Sequence, residues 1–212
     1  MENYKKVKRV LAVILLANLL VAALKIVIGL IIKSTSMTAD GLHSLSDGSS
    51  NIVGLIGIMF ASKPKDDSHP YGHNKFETMA ALFISAMLFV AGVKIIASAI
   101  GRFTNPVVPK ITVPSLAVLI FTLAVNIFVA VYEYMTGKAL GSQILISDSL
   151  HTRSDIYVSV GVLVTLICVK LGVSPVIDPI ASLAVAGFIF FAAYEIFKGN
   201  SGVLVDKSAV DA

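Results

Sequence analysis

Apolar residues in this 212-residue chain gather into long runs separated by short polar breaks. A run of roughly 20 apolar residues is what a helix needs to cross a ~30 Å hydrocarbon core. Six such runs predict six membrane-spanning helices, at about 7–32, 36–61, 77–100, 112–136, 143–170 and 174–198. The breaks differ in kind. KSTS at 33–36 is a tight turn, and SKPKDDSHPYGHNKFE at 62–77 is the longest polar loop. TNPVVPK at 104–110 is Pro-rich and extended, TGKALGS at 136–142 is short, and LGVSP at 171–175 ends at a proline suited to a helix N-terminus. The expected fold is an all-α membrane protein: one six-helix domain over residues 1–200, then a tail at 201–212.

Composition agrees. The chain is 56% hydrophobic and only 14% charged, where a soluble domain carries about a quarter charged residues. The basic start (Lys5, Lys6, Lys8, Arg9) leads into an apolar stretch reaching Ile32. That stretch is too long for a signal-peptide core and lacks a small-residue cleavage pattern, so it reads as a first span. With a cytoplasmic N-terminus, that side holds Lys5, Lys6, Lys8, Arg9, Lys63, Lys65, Lys75, Lys138, Lys198 and Lys207, against Lys33, Arg102, Lys110 and Lys170 on the other. The excess places both termini in the cytoplasm. The net charge of +4 follows from this orientation, and no basic stripe or aromatic platform points to nucleic acid. The single cysteine, Cys168, cannot form an internal disulfide.

Charge is scarce inside the spans, which makes one repeat conspicuous. Asp40-Gly-Leu-His43-Ser-Leu-Ser-Asp47 in the second span matches Asp148-Ser-Leu-His151-Thr-Arg-Ser-Asp155 in the fifth, identical at five of eight positions. On a helix, residues at i, i+3 and i+7 share one face. Charged groups in a span cost at least ~2.5–3.5 kcal/mol each at the helix centre, so they must face the bundle interior and find partners. Asp47 lies ~16 Å into its span and Asp155 ~18 Å into its own, at 1.5 Å per residue. Both depths are near mid-membrane, and the two spans run in opposite directions. His43, Asp47, His151 and Asp155 can therefore meet as two imidazoles and two carboxylates. That donor set suits a tetrahedral divalent ion, zinc first, with Co²⁺, Cd²⁺, Fe²⁺ or Mn²⁺ as alternatives. Calcium and magnesium prefer oxygen alone. Asp40 and Asp148 read as outer ligands, acceptors for an imidazole N–H, or vestibule charges, with the last two preferred. Three further charges fall within spans. Lys25 and Lys94 are expected to snorkel toward the outer surface. Arg153 must point to a different face from His151, with Asp148, Glu133 and Glu195 as candidate partners.

These motifs, with the loop HPYGH, resemble the cation diffusion facilitator family of divalent metal–proton antiporters over nearly the whole chain. The resemblance implies that His43, Asp47, His151 and Asp155 form the transport site. It also associates a histidine in the second-span slot with zinc-type selectivity. It implies a second metal site in the loop between spans two and three, at Asp66, His69 and His73. Two imidazoles and a carboxylate in a Gly/Pro turn suffice for a site with an open fourth position, although a plain solvated loop has the same composition. Lys75 and Asp206 match positions that form a charge pair in some members. Family members usually continue into a cytoplasmic ferredoxin-like domain that dimerises; here 14 residues, GNSGVLVDKSAVDA, follow the last span. A homodimer is therefore expected more weakly.

The function expected is efflux of a divalent transition metal, Zn²⁺ first, from the cell across a multi-pass cell-membrane carrier by proton antiport and alternating access. His43 and His151 are the candidates for coupling, since metal and protons compete for imidazole. Two alternatives stand beside it: a proton-coupled carrier of another solute, and a non-transporting regulatory short form. An enzyme is not expected, because four protein ligands close the site to an activated water.

Overall fold

The computed structural model describes residues 2–31, 35–104, 113–172 and 177–205, and these form six helices. They are α1 (Glu2–Ile31), α2 (Thr35–Ala61), α3 (Lys75–Thr104), α4 (Val113–Leu140), α5 (Gln143–Lys170) and α6 (Ile177–Leu204). No strand occurs among the described residues. Helices of 27 to 30 residues are about 40–45 Å long at 1.5 Å per residue, enough to span the core and project beyond it.

Four of the six are apolar enough to cross a membrane by composition alone: Asn3–Ile28, Lys75–Phe103, Leu116–Leu140 and Pro179–Leu204. α2 has only a shorter apolar segment, Gly48–Ala61. α5 is interrupted by the run from Ser147 to Asp155. This refines the expectation of six equal spans: α2 and α5 cross as partners in a bundle, with their polar face turned inward. In α5, Ser147, Asp148, Ser149, His151, Thr152 and Ser154 are all buried. Leu16, Leu20, Phe121, Phe128, Phe188 and Phe191 are exposed on the outside of the bundle. A soluble protein hides such side chains, whereas lipid accepts them.

α5 is the central helix and packs against α2, α3, α4 and α6. α1 lies on α2 and α4, and α3 lies on α6. One core cluster sits among α1, α2, α4 and α5, around Leu11, Ile58, Val129 and Ile144. Another joins α3 to α6 through Leu88, Val185, Ile189 and Ala193. α2 reaches α3 at Gly57, where an added Cβ would lie 2.3 Å from the Ala80 Cβ. Only a residue without a side chain fits there.

Polar ties mark one end of the bundle. Tyr4 donates to Asn74 Oδ1 (3.0 Å), and Ser142 Oγ donates to Glu77 Oε1 (2.6 Å). Glu77 also accepts from the Ile144 amide (3.5 Å), while Ser142 Oγ accepts from the Leu145 amide (3.4 Å). Together they cap the start of α5, where amides lack carbonyl partners and the helix dipole favours negative charge. Lys75 Nζ donates to the Leu204 carbonyl at this same end (3.3 Å). The start of α1 and the end of α6 therefore lie on one side, as an even number of crossings requires. Asp206, the expected partner of Lys75, lies outside the described residues.

Candidate metal centre

α5 brings His151 and Asp155 to the wall between two cavities. The smaller, about 70 Å³, lies among α1, α2, α4 and α5 and is also lined by Asn18, Lys25, Ser44 and Thr152. The larger, about 570 Å³, lies among α2, α3, α5 and α6, with Ser49, Lys94 and Ser154 on its walls. His151 is 7% exposed, and neither Nδ1 nor Nε2 has a hydrogen-bond partner among the described residues. An unsatisfied buried polar atom costs about 1–3 kcal/mol.

The second half of the expected quartet lies on α2. His43 and Asp47 belong to its helical stretch, as does Asp40, but the side chains of all three lie outside the described ones. Their α2 neighbours Ser44 and Ser50 line the small cavity together with His151 and Asp155. This part of α2 therefore faces the same space.

Asp148 takes a different position from His151. It is fully buried, and Asn51 Nδ2 on α2 donates to its Oδ2. Asn18 Nδ2 on α1 donates in turn to Asn51 Oδ1 (2.8 Å). Asp148 accepts nothing from the His151 ring, whose nitrogens have no partner among the described residues. Glu133 of α4 is also fully buried. Thr152 Oγ1 donates to Glu133 Oε2 (3.2 Å).

Two placements differ from expectation. Lys25 does not snorkel outward: it is 7% exposed, and its Nζ donates to Ser44 Oγ (2.8 Å). The cavity polar groups lie within reach of its stem, so the head need not travel to the surface. Lys94 is exposed and lines the larger cavity. Arg153 stacks its guanidinium on the Tyr134 ring, 4.6 Å from the centroid. Asn18, Asn51 and Thr152 were not singled out by sequence reasoning, and Glu133 was named there only as a candidate partner of Arg153. The available signal was their polarity within apolar spans.

The loop ligands converge. Donor atoms of Asp66, His69 and His73 lie within 4.8 Å of one another. Asp66 Oδ1 accepts from the His69 backbone amide (2.7 Å) and lies 3.1 Å from His69 Nδ1, while Asp66 Oδ2 is 3.4 Å from His73 Nε2. Gly72 supplies the positive φ of 93° that turns the chain back between the two histidines. His73 is buried against Phe76, and its Nδ1 has no partner among the described residues. Desolvation acts to raise the Asp66 pKa. It is outweighed by the His69 hydrogen bonds and by the charges of His69 and His73, which hold the carboxyl below its ordinary value.

A profile of the cation efflux transmembrane domain matches residues 11–205. The chain belongs to the cation efflux family. It is 37% identical over 204 residues to an uncharacterized transporter of Methanocaldococcus jannaschii, covering 96% of this chain and 72% of that one. It is 33% identical over 208 residues to the manganese efflux system protein MneP of Bacillus subtilis, covering 95% and 69%. The cadmium, cobalt and zinc/H(+)-K(+) antiporter of the same organism is 31% identical over 179 residues, covering 84% and 57%. The match, with the inward polar faces of α2 and α5, makes this cation efflux protein a multi-pass membrane transporter.

Proposed function

We propose that this chain carries a divalent transition-metal ion out across the cell membrane in exchange for protons, through a mid-membrane site of His43, Asp47, His151 and Asp155. The observation that carries this reading is the buried His151 ring, with both nitrogens unpartnered among the described residues, at the wall between two cavities. Asp155 lies on the same wall, and the matching HxxxD stretch of α2 borders the same space. Both cavities reach this pair of residues, from different sides of α5, and in alternating access a bound ion would meet first one compartment and then the other. Imidazole binds metal only when neutral, so metal entry displaces protons and proton entry displaces metal.

Zn²⁺ is the first candidate cargo, because two nitrogens and two oxygens suit its tetrahedral shell. Co²⁺, Cd²⁺ and Fe²⁺ share much of that preference. Mn²⁺ is a second reading, favoured by the relative named for manganese efflux. In the loop, Asp66, His69 and His73 hold a further ion, with a fourth position left to water or a fourth ligand.

Flux of a metal panel into proteoliposomes under an imposed pH gradient tests this. Asp47→Ala and Asp155→Ala should each slow transport at least about tenfold, the scale of losing a metal-site residue. Unchanged flux in both variants would remove the site assignment.

A further inference from the structure

Lys25 places a cation in the wall of a cation site. It is 7% exposed, and among the described residues no other lysine or arginine is buried. Lysine is almost never found so deep unless its charge has partners. Its Nζ donates to Ser44 Oγ at 2.8 Å, which ties α1 to α2 one residue from His43. Lys25 and Ser44 border the small cavity that His151 and Asp155 also border, and so do Asn18 and Asn126. The cavity measures about 70 Å³, room for only a few waters. An ammonium, a ligand carboxylate and a ligand imidazole therefore share one small polar space. An ammonium has donors only, so it seeks the same acceptors as a metal ion. Stability alone does not call for it, since a well-packed apolar side chain often serves as well as a buried charge.

We propose that Lys25 is a tethered cation of the transport cavity, whose charge opposes that of the metal and sets how tightly a divalent ion is held at the quartet. Asp47 and Asp155 give the quartet two carboxylates. While no ion is bound, the ammonium offsets part of their negative charge. An entering divalent ion meets a like charge across a space too small for water to screen it well. The hold is then weaker than four ligands alone would give. A site that conducts an ion must bind it well enough to admit it and weakly enough to release it. Lys94 borders the larger cavity but is exposed, so the buried charge at the ligand pair is that of Lys25. Lys25 does not touch the ion in this reading. It is a positioning residue that acts through its field. The inference rests on the metal-site reading above and adds to it the group that tunes affinity.

The test uses the full chain in detergent and in proteoliposomes, with Zn²⁺ as the probe and His69→Ala removing a ligand of the loop site throughout. Titration calorimetry reads Kd, and flux reads KM and the maximal rate. Lys25→Met keeps the length of the side chain and removes its charge. It should bind Zn²⁺ at least about tenfold more tightly, the scale of removing a unit charge that faces a divalent ion across a buried cavity. Its KM and its maximal rate should both fall, because the ion enters readily and leaves slowly. Lys25→Arg keeps the charge and should bring Kd back to within about threefold of the unsubstituted lysine. A merely structural lysine predicts the opposite sign, since a disturbed site holds metal less well. Should Lys25→Met fail to fold, Lys25→Gln takes its place with the same expectation. A Kd that is unchanged or weaker in the folded neutral variant overturns the proposal, as does a Lys25→Arg that binds as tightly as Lys25→Met. Asp155→Ala in the same background separates the two readings. If it abolishes binding, the quartet stands whatever Lys25 does. If binding survives it, the site reading falls, and this inference with it.

Discussion

The α3–α6 pair and the central helix α5 solve the same problem in opposite ways. α3 and α6 are apolar enough to enter a membrane alone, and they meet through Leu88, Ile189 and Ala193. Their polar contacts among the described residues are few: Ser85 Oγ donates to the Ala193 carbonyl at 2.8 Å, and Lys75 Nζ to the Leu204 carbonyl at 3.3 Å at the end of the bundle. α5 is not among the self-sufficient spans. Its polar stretch is tolerable only because α2 and α4 supply partners such as Asn51 and Glu133. In lipid, where each unmet polar group is costly, such a helix persists only for what its polar face does. The first region holds shape, and the second carries the chemistry.

Matched substitutions in the two regions should separate these roles most strongly. His151→Ala removes an imidazole that makes no hydrogen bond among the described residues. It should cut metal flux at least about tenfold while leaving unfolding stability within about 1 kcal/mol. Leu88→Ala, in the fully buried α3–α6 contact, should do the reverse. It should cost about 2–4 kcal/mol of stability, with flux per folded molecule little changed. Chemical unfolding in mixed micelles and proteoliposome flux check both halves. Equal stability losses in the two variants would erase the distinction.

The seam between the regions gives a smaller effect. Gly57→Ala places a Cβ 2.3 Å from the Ala80 Cβ, so α2 and α3 must part. The expected cost is about 1–3 kcal/mol, read by thermal denaturation. Smaller again is Glu77→Gln, which weakens the α3 carboxylate that accepts from Ser142 and Ile144 at the start of α5. A loss of about 0.5–1 kcal/mol is expected, with faster amide exchange confined to the first turn of α5. Exchange that rises equally in α6 would argue against a local cap.

Much of this was legible in the sequence, for identifiable reasons. Long apolar runs announce helices in lipid because backbone hydrogen bonds have no other outlet there. The repeated HxxxD stood out because charge is rare in a span, and its spacing placed His151 and Asp155 on one face. The convergence of Asp66, His69 and His73 was visible in a short turn, where sequence neighbours are spatial neighbours. Long-range pairing was not visible. Asp148 shares the spacing of His151 and Asp155, yet it turns to Asn51, which lies 97 positions away in the chain. Glu133 looked like one charge beside tyrosines, and only packing of α4 on α5 made it the acceptor for Thr152. Lys25 was misplaced because snorkelling assumes that water is the nearest polar partner, whereas Ser44 was nearer.

The most direct test of the central claim is X-ray absorption at the metal edge of protein carrying Zn²⁺, with His69→Ala disabling the loop site. One tightly bound ion should remain, held by two imidazole nitrogens and two carboxylate oxygens at about 2.0–2.2 Å, and Asp155→Ala should abolish that signal. A remaining ion with no imidazole in its shell, or one indifferent to Asp155, would contradict the account.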